Sequence, residues 1–135
     1  MTDTAPPGPA PVHGFDVRVY YEDTDMAGIV YHANYLKYIE RARSDWVREQ
    51  GLDQNAMRAA GVVFVVRRIE CDYLAPARYD DALVVRTQVE SMSRVRLVMV
   101  QQVMRVDAVL FRARVTAACA TLAGRPTRLP EALTP

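Results

Sequence analysis

Cysteine, histidine and unbalanced charge are all scarce in this sequence, and each scarcity closes off a class of protein. Two cysteines, Cys71 and Cys119, and two histidines, His13 and His32, occur without any CxxC or HExxH pattern, so a dedicated zinc site has little support. Both cysteines lie in apolar, strand-like stretches and are expected as buried free thiols rather than a disulfide or redox pair. Seventeen basic against sixteen acidic side chains leave a formal charge of +1, too even to drive binding to nucleic acid or to an anionic membrane. No run approaches the roughly 20 apolar residues that a membrane-spanning helix needs, so no membrane insertion is expected. Met1–Pro11 carries Asp3 and four prolines but neither a basic start nor an apolar stretch, unlike a secretory signal. The expectation is a cytoplasmic protein with residues 1–12 as a disordered, proline-rich tail and 13–135 as a single domain.

Hydrophobic residues and arginine are what the chain has in quantity. Half of the residues are hydrophobic, enough for one buried core, and sixteen of the seventeen basic residues are arginine. Genome composition would explain the arginine bias, and guanidinium groups also suit phosphate. Phe15, Val17, Val19 and Tyr21 alternate with polar neighbours and predict a half-buried strand. A polar loop follows, Asp23–Ala33. From Asn34 the period becomes helical through Tyr35, Leu36, Ile39, Arg43, Trp46 and Val47, with Asn34 placed to cap and Gly51 to stop the helix. Asp53–Ala60 predicts a short second helix. Four strands then follow, in Val62–Tyr73, around Leu83–Glu90, in Leu97–Arg105 and from Val109 through Ala117, before an irregular tail after Gly124. Short links favour antiparallel pairing, and one long helix is available to cover one face. The prediction is an α+β domain: a five-stranded antiparallel sheet with one long helix against it. Its open face and edges make self-association natural.

Chemistry concentrates in the loop leading into that helix. Asp23, Asp25 and His32 lie there between two packed elements, with Gly28 to permit a tight turn and close backbone approach to a ligand. The first amides of the helix lack intrahelical acceptors and, with the helix dipole, suit an anion or a polarised carbonyl. A carboxylate at Asp25 could activate water or attack as a nucleophile, and His32 could orient water or transfer a proton near neutral pH. By spacing alone, both aspartates fit ordinary turn chemistry equally well, and His32 fits the first helical turn. A metal reading of Asp23, Asp25 and His32 finds no distinctive further ligand.

The stretch from Tyr20 to Arg43, YYEDTDMAGIVYHANYLKYIERAR, resembles the signature of the 4-hydroxybenzoyl-CoA thioesterase superfamily, most closely its Tol-Pal-associated acyl-CoA thioesterase branch. The likeness runs from about Phe15 to Leu133, with further landmarks in Asp72–Asp81 and Arg125–Pro130. The resemblance implies a hotdog fold, in which the sheet wraps the central helix, and homodimers or homotetramers with active sites at a subunit interface. It implies hydrolysis of acyl-CoA to acid and CoA without a metal or cofactor, CoA being part of the substrate. Asp25 takes the catalytic carboxylate position, His32 the histidine of the acyl-CoA branch, and Asp23 a structural role. Gly28, Tyr31, Arg94 and Arg96 are the expected substrate contacts, the two arginines for the CoA phosphates, with Arg67 and Arg68 as alternatives on a strand. Glu40, beside Arg41 and Arg43, reads as an ion-pair partner, although a related subgroup uses a helix glutamate catalytically. Trp46 reads as core, and His13 as an exposed tail residue. An acyl-carrier protein is a second conceivable acyl donor. The alternative function is a non-catalytic binder of acyl-CoA or acyl-carrier protein in envelope or lipid assembly.

Overall fold

The computed structural model describes residues 10–133. Strand β1, His13–Arg18, is followed by a single 3-10 turn, Tyr21–Asp23, then helix α1, Asn34–Glu49, and the short helix α2, Gln54–Ala59. Four long strands complete the order: β2, Val62–Tyr73; β3, Ala82–Met92; β4, Leu97–Arg105; and β5, Ala108–Thr121. They form one antiparallel sheet in the order β1-β3-β4-β5-β2. The expected five-stranded sheet is present, with one addition. Pro126–Thr127 pairs with β5 as a two-residue strand, β6, in the tail expected to be irregular. Proline is tolerated there because it opens a two-residue strand that pairs with β5 alone.

Helix α1 lies over β1, β3 and β4. Its inner face, Tyr35, Tyr38, Ile39, Ala42, Trp46 and Val47, is buried at the spacing a 3.6-residue period dictates. The helix's first half packs with Val17, Val85, Val103, Phe111 and Val115, while Trp46 and Val47 pack with Leu97, Met99, Cys119, Leu129 and Leu133. At about 1.5–3 kcal/mol for each large side chain buried, this interface is the main support of the helix. A buried polar network centred on Gln101 crosses it. Gln101, fully buried, donates from Nε2 to the carbonyl of Ile39 and to Thr87 Oγ1, both at 2.9 Å, and accepts from Arg43 at 3.0 Å.

Several expectations are corrected. The first strand ends at Arg18, and Tyr21 stands 82% exposed in the following turn, because the chain there leaves the sheet. The N-cap of α1 is Ala33 rather than Asn34, whose side-chain amide instead donates to the Asp23 carbonyl at 2.9 Å. Gly51, at φ +84°, does end the helix, donating its N–H to Arg48. Cys119 is buried but Cys71, opposite Ala113 on the edge strand β2, is exposed. His13 is buried, its Nε2 2.8 Å from Asp45 and 3.2 Å from Glu49 on α1. Of the expected tail, residues 1–9 lie outside the described residues, and the carbonyl of Ala10 accepts a hydrogen bond from Gln88.

Candidate active site

The loop before α1 is a miniature hairpin. Thr24 pairs with Val30, the N–H of Asp25 donates to Ile29 at 2.9 Å, and the N–H of Gly28 returns to the Asp25 carbonyl at 3.0 Å. Gly28 sits at φ +78° with open space where a side chain would be, so backbone conformation rather than crowding calls for glycine. Asp25 Oδ1 accepts the Ala27 N–H at 2.8 Å, while Oδ2 has no partner among the described residues. A carboxylate oriented through one oxygen leaves the other available for chemistry.

Asp23 is used differently. Its Oδ2 accepts the Tyr20 N–H at 2.8 Å, and its carbonyl accepts from the Tyr31 N–H and the Asn34 amide, both at 2.9 Å. These bonds lock the loop onto the start of the helix. Burial, with the Asp23 charge second, pushes the phenol of nearby Tyr38 up, keeping it neutral at the base of the loop.

Asp25 and His32 line one open cleft of about 440 Å³ together with Ile29, Val30, Tyr35, Tyr73, Leu74, Ala75 and Pro76. Its wall is largely apolar. Tyr35 stacks on Phe111, with centroids 5.0 Å apart, and Tyr73 meets both rings edge-on at 5.6 and 5.0 Å. The Tyr35 hydroxyl accepts the Ala77 N–H at 2.9 Å, and the Ala77 carbonyl accepts from Val30, so the helix, the loop and the Pro76–Asp81 turn are tied together. Arg105 supports that turn, donating to Asp81 at 2.8 Å and to the Pro76 carbonyl at 3.3 Å. The Tyr73 hydroxyl donates to the His32 carbonyl at 2.8 Å. Among the described residues, no acceptor takes the N–H of His32 or Ala33, the two amides just before the helix. The cleft thus joins a half-free carboxylate, an imidazole and unpaired backbone donors against an apolar wall, parts suited to hydrolysing a carbonyl compound with an apolar acyl portion.

The other expected site residues are spread wider. Tyr31 is 46% exposed, its ring 4.4 Å from that of His32, at the margin of the cleft. Arg94 and Arg96 project from the β3–β4 turn. Along the ladder, Leu97 pairs with Ala117 whereas Tyr73 pairs with Phe111. Six residues of strand, roughly 20 Å, therefore separate those arginines from the cleft within one chain. Arg67 lies at a bulge in β2 and Arg68 pairs with Glu70 at 3.3 Å. Glu40 accepts the Ser44 hydroxyl at 2.6 Å on the exposed side of α1, outside the cleft. Among the described residues, the group able to hold a cation is His13, Asp45 and Glu49, on β1 and the later turns of α1, and not Asp23, Asp25 and His32. Tyr35, Tyr73 and Pro76 were not expected in the site. The Asp72–Asp81 landmark was the available signal, but strand alternation gives no hint that its start folds over the helix N-terminus.

Comparison with known proteins gives a consistent picture. A family model described as the thioesterase-like superfamily matches residues 19–135. The acyl-CoA thioester hydrolase YbgC of Escherichia coli O157:H7 is 42% identical over 119 residues, 87% of this chain and 89% of that protein. The acyl-CoA thioesterase YbgC of Haemophilus influenzae is 39% identical over 119 residues, 87% and 88% of the two chains. The crystal structure of a probable thioesterase from Bartonella henselae superposes with a TM-score of 0.85 at 36% identity, covering 89% of this chain and all of that one (100%).

Proposed function

This chain belongs to the thioesterase-like superfamily, and from that premise we propose that it hydrolyses acyl-CoA thioesters with Asp25 as the working carboxylate. The observation that carries the reading is the shared cleft: Asp25 and His32 face one apolar-walled space, and Asp25 keeps an oxygen free. In the general-base route, Asp25 takes a proton from water, and the water oxygen attacks the thioester carbon. The negative charge that develops on the carbonyl oxygen is met by backbone N–H groups at the start of α1. Collapse breaks the C–S bond, the thiolate of CoA leaves and is protonated from His32 or solvent, and the acyl group departs as the free acid. In the nucleophilic route, Asp25 attacks directly, expelling CoA and forming a mixed anhydride that water then opens. Neither route uses a metal or a cofactor.

The substrate reading is acyl-CoA, with acyl-carrier protein as the other conceivable donor, in the cytoplasm. Among the described residues, no helix is long and apolar enough to cross a membrane. A homo-oligomer fits the reading. Strand β2 is an open edge of 12 residues, and Tyr31, Tyr73 and Leu74 beside the cleft are each nearly half exposed, so a second copy would cover them. A neighbouring copy would also be the way to bring Arg94 and Arg96 near bound CoA.

The test is Asp25→Asn against a panel of short, medium, long and aromatic acyl-CoAs. Turnover is expected to vanish while the melting temperature and sedimentation behaviour stay those of the native protein. Near-native activity in the variant would remove Asp25 from the mechanism. Binding without turnover by the native protein across the whole panel would replace the enzyme reading with a binding module. Single turnover in ¹⁸O-water tests the nucleophilic route: label in the Asp25 side chain requires an anhydride opened by water at the Asp25 carbonyl.

A further inference from the structure

We infer that Tyr73 is a positioning residue of this site, acting through its hydrogen bond to the His32 carbonyl on the peptide that carries the Ala33 N–H. The inference rests on the proposed thioesterase reading and concerns how the site is held. Tyr73 is the last residue of β2, 41 positions from His32 in sequence, and its hydroxyl reaches the His32 carbonyl at 2.8 Å. Its ring is held edge-on by Tyr35 and Phe111 on one side and lies 6.3 Å from the His32 ring in a T-shaped arrangement. The hydroxyl is therefore not a free surface group, although the residue is 49% exposed.

The bond has two consequences at one peptide unit. It sets the plane of the His32–Ala33 peptide, and so the direction in which the Ala33 N–H points and the place from which the His32 side chain departs. A carbonyl that accepts a hydrogen bond also leaves its own N–H a stronger donor, because the peptide polarises as a unit. The N–H groups of His32 and Ala33 have no acceptor among the described residues, and they lie beside the cleft that His32 lines. Burial first, and Cys71 second, push the Tyr73 phenol up, so it stays protonated and able to donate across the pH range of the reaction.

Tyr73→Phe keeps the ring contacts and removes the hydroxyl. A lost hydrogen bond of ordinary strength corresponds to roughly a tenfold effect, expected in kcat/KM for the acyl-CoA. Two CoA analogues built on the best acyl chain of the panel read the mechanism separately. One is a ketone with a methylene in place of the thioester sulfur. The other is a thioether with a methylene in place of the carbonyl. Tyr73→Phe should weaken the ketone by about tenfold and leave the thioether within twofold. The ratio of the two affinities, taken on one preparation, is unaffected by any partly unfolded fraction. Equal losses for both analogues, or an unchanged ketone affinity and kcat/KM, overturn the inference. With Asp25→Asn inactive, that result leaves the thioesterase reading standing; with Asp25→Asn active, the reading itself fails.

Discussion

The hydroxyl of Tyr35, in the first turn of α1, accepts the backbone N–H of Ala77, 42 residues later, in the buried interior. Through this contact the helix carrying the unpaired amides fixes the turn that forms the opposite wall of the cleft. Burial pushes the Tyr35 phenol up, outweighing the Ala77 N–H. Tyr35→Phe would strand the Ala77 N–H without a partner, at a cost of about 1–3 kcal/mol in unfolding free energy. Urea denaturation should record that loss, and kcat should fall with it. An unchanged midpoint would mean that water replaces the phenol.

Gln101→Leu tests the polar network under the helix. Leucine fits the apolar surroundings, but Arg43 loses its partner in a half-buried position where desolvation already pulls its guanidinium down. The expected outcome is a loss of about 1–3 kcal/mol, with the double variant Gln101→Leu, Arg43→Leu recovering part of it. No recovery in the double variant would refute the coupling.

Asp81 predicts the acid limb of stability. Burial alone would raise its affinity for protons, but the Arg78 N–H and the Arg105 guanidinium outweigh burial and hold the carboxyl below its ordinary value. The ionised form is favoured by the fold. Its contribution is therefore complete above the unfolded-state value of about 3.9 and disappears as pH falls through the lower folded-state value. Asp81→Asn should lose about 1–2 kcal/mol at pH 7 and decline less steeply below about pH 4. Parallel stability curves for the two proteins would exclude Asp81 as a source of the acid dependence.

Val106, in the β4–β5 turn, holds φ +54° with its side chain 87% exposed, a conformation costly for a β-branched residue. Val106→Asn, which tolerates that region, should raise stability by about 0.5–1 kcal/mol without changing kcat. A lower melting temperature would show that the valine makes a contact worth more than the strain.

The principal elements were legible in the sequence because their periods are local. β2 and β4 have the expected limits, and α1 runs from Asn34 as its 3.6-residue pattern required. The loop around Asp25 was legible as a site through its resemblance to a family signature, since spacing alone fits a turn as well. What could not be read was contact at long range. His13 looked like a tail residue because nothing near it in sequence indicates Asp45 and Glu49 on a helix 32 or more positions away. Cys71 looked buried because alternation reports which face a side chain takes, and not whether another element covers that face.

Sequence by itself determined the α+β class, the single long helix and the candidacy of the segment Asp23–Asn34, all products of short-range pattern and local chemistry. Tertiary structure decided how that segment is used. It gave Asp23 two backbone-locking roles, left one oxygen of Asp25 free, and set Tyr73 and Pro76 around one cleft with His32. It also separated Arg94 and Arg96 from that cleft within one chain. The reason is physical: hydrogen bonds and ring contacts between residues some forty positions apart depend on sheet order and helix placement, which no local period encodes.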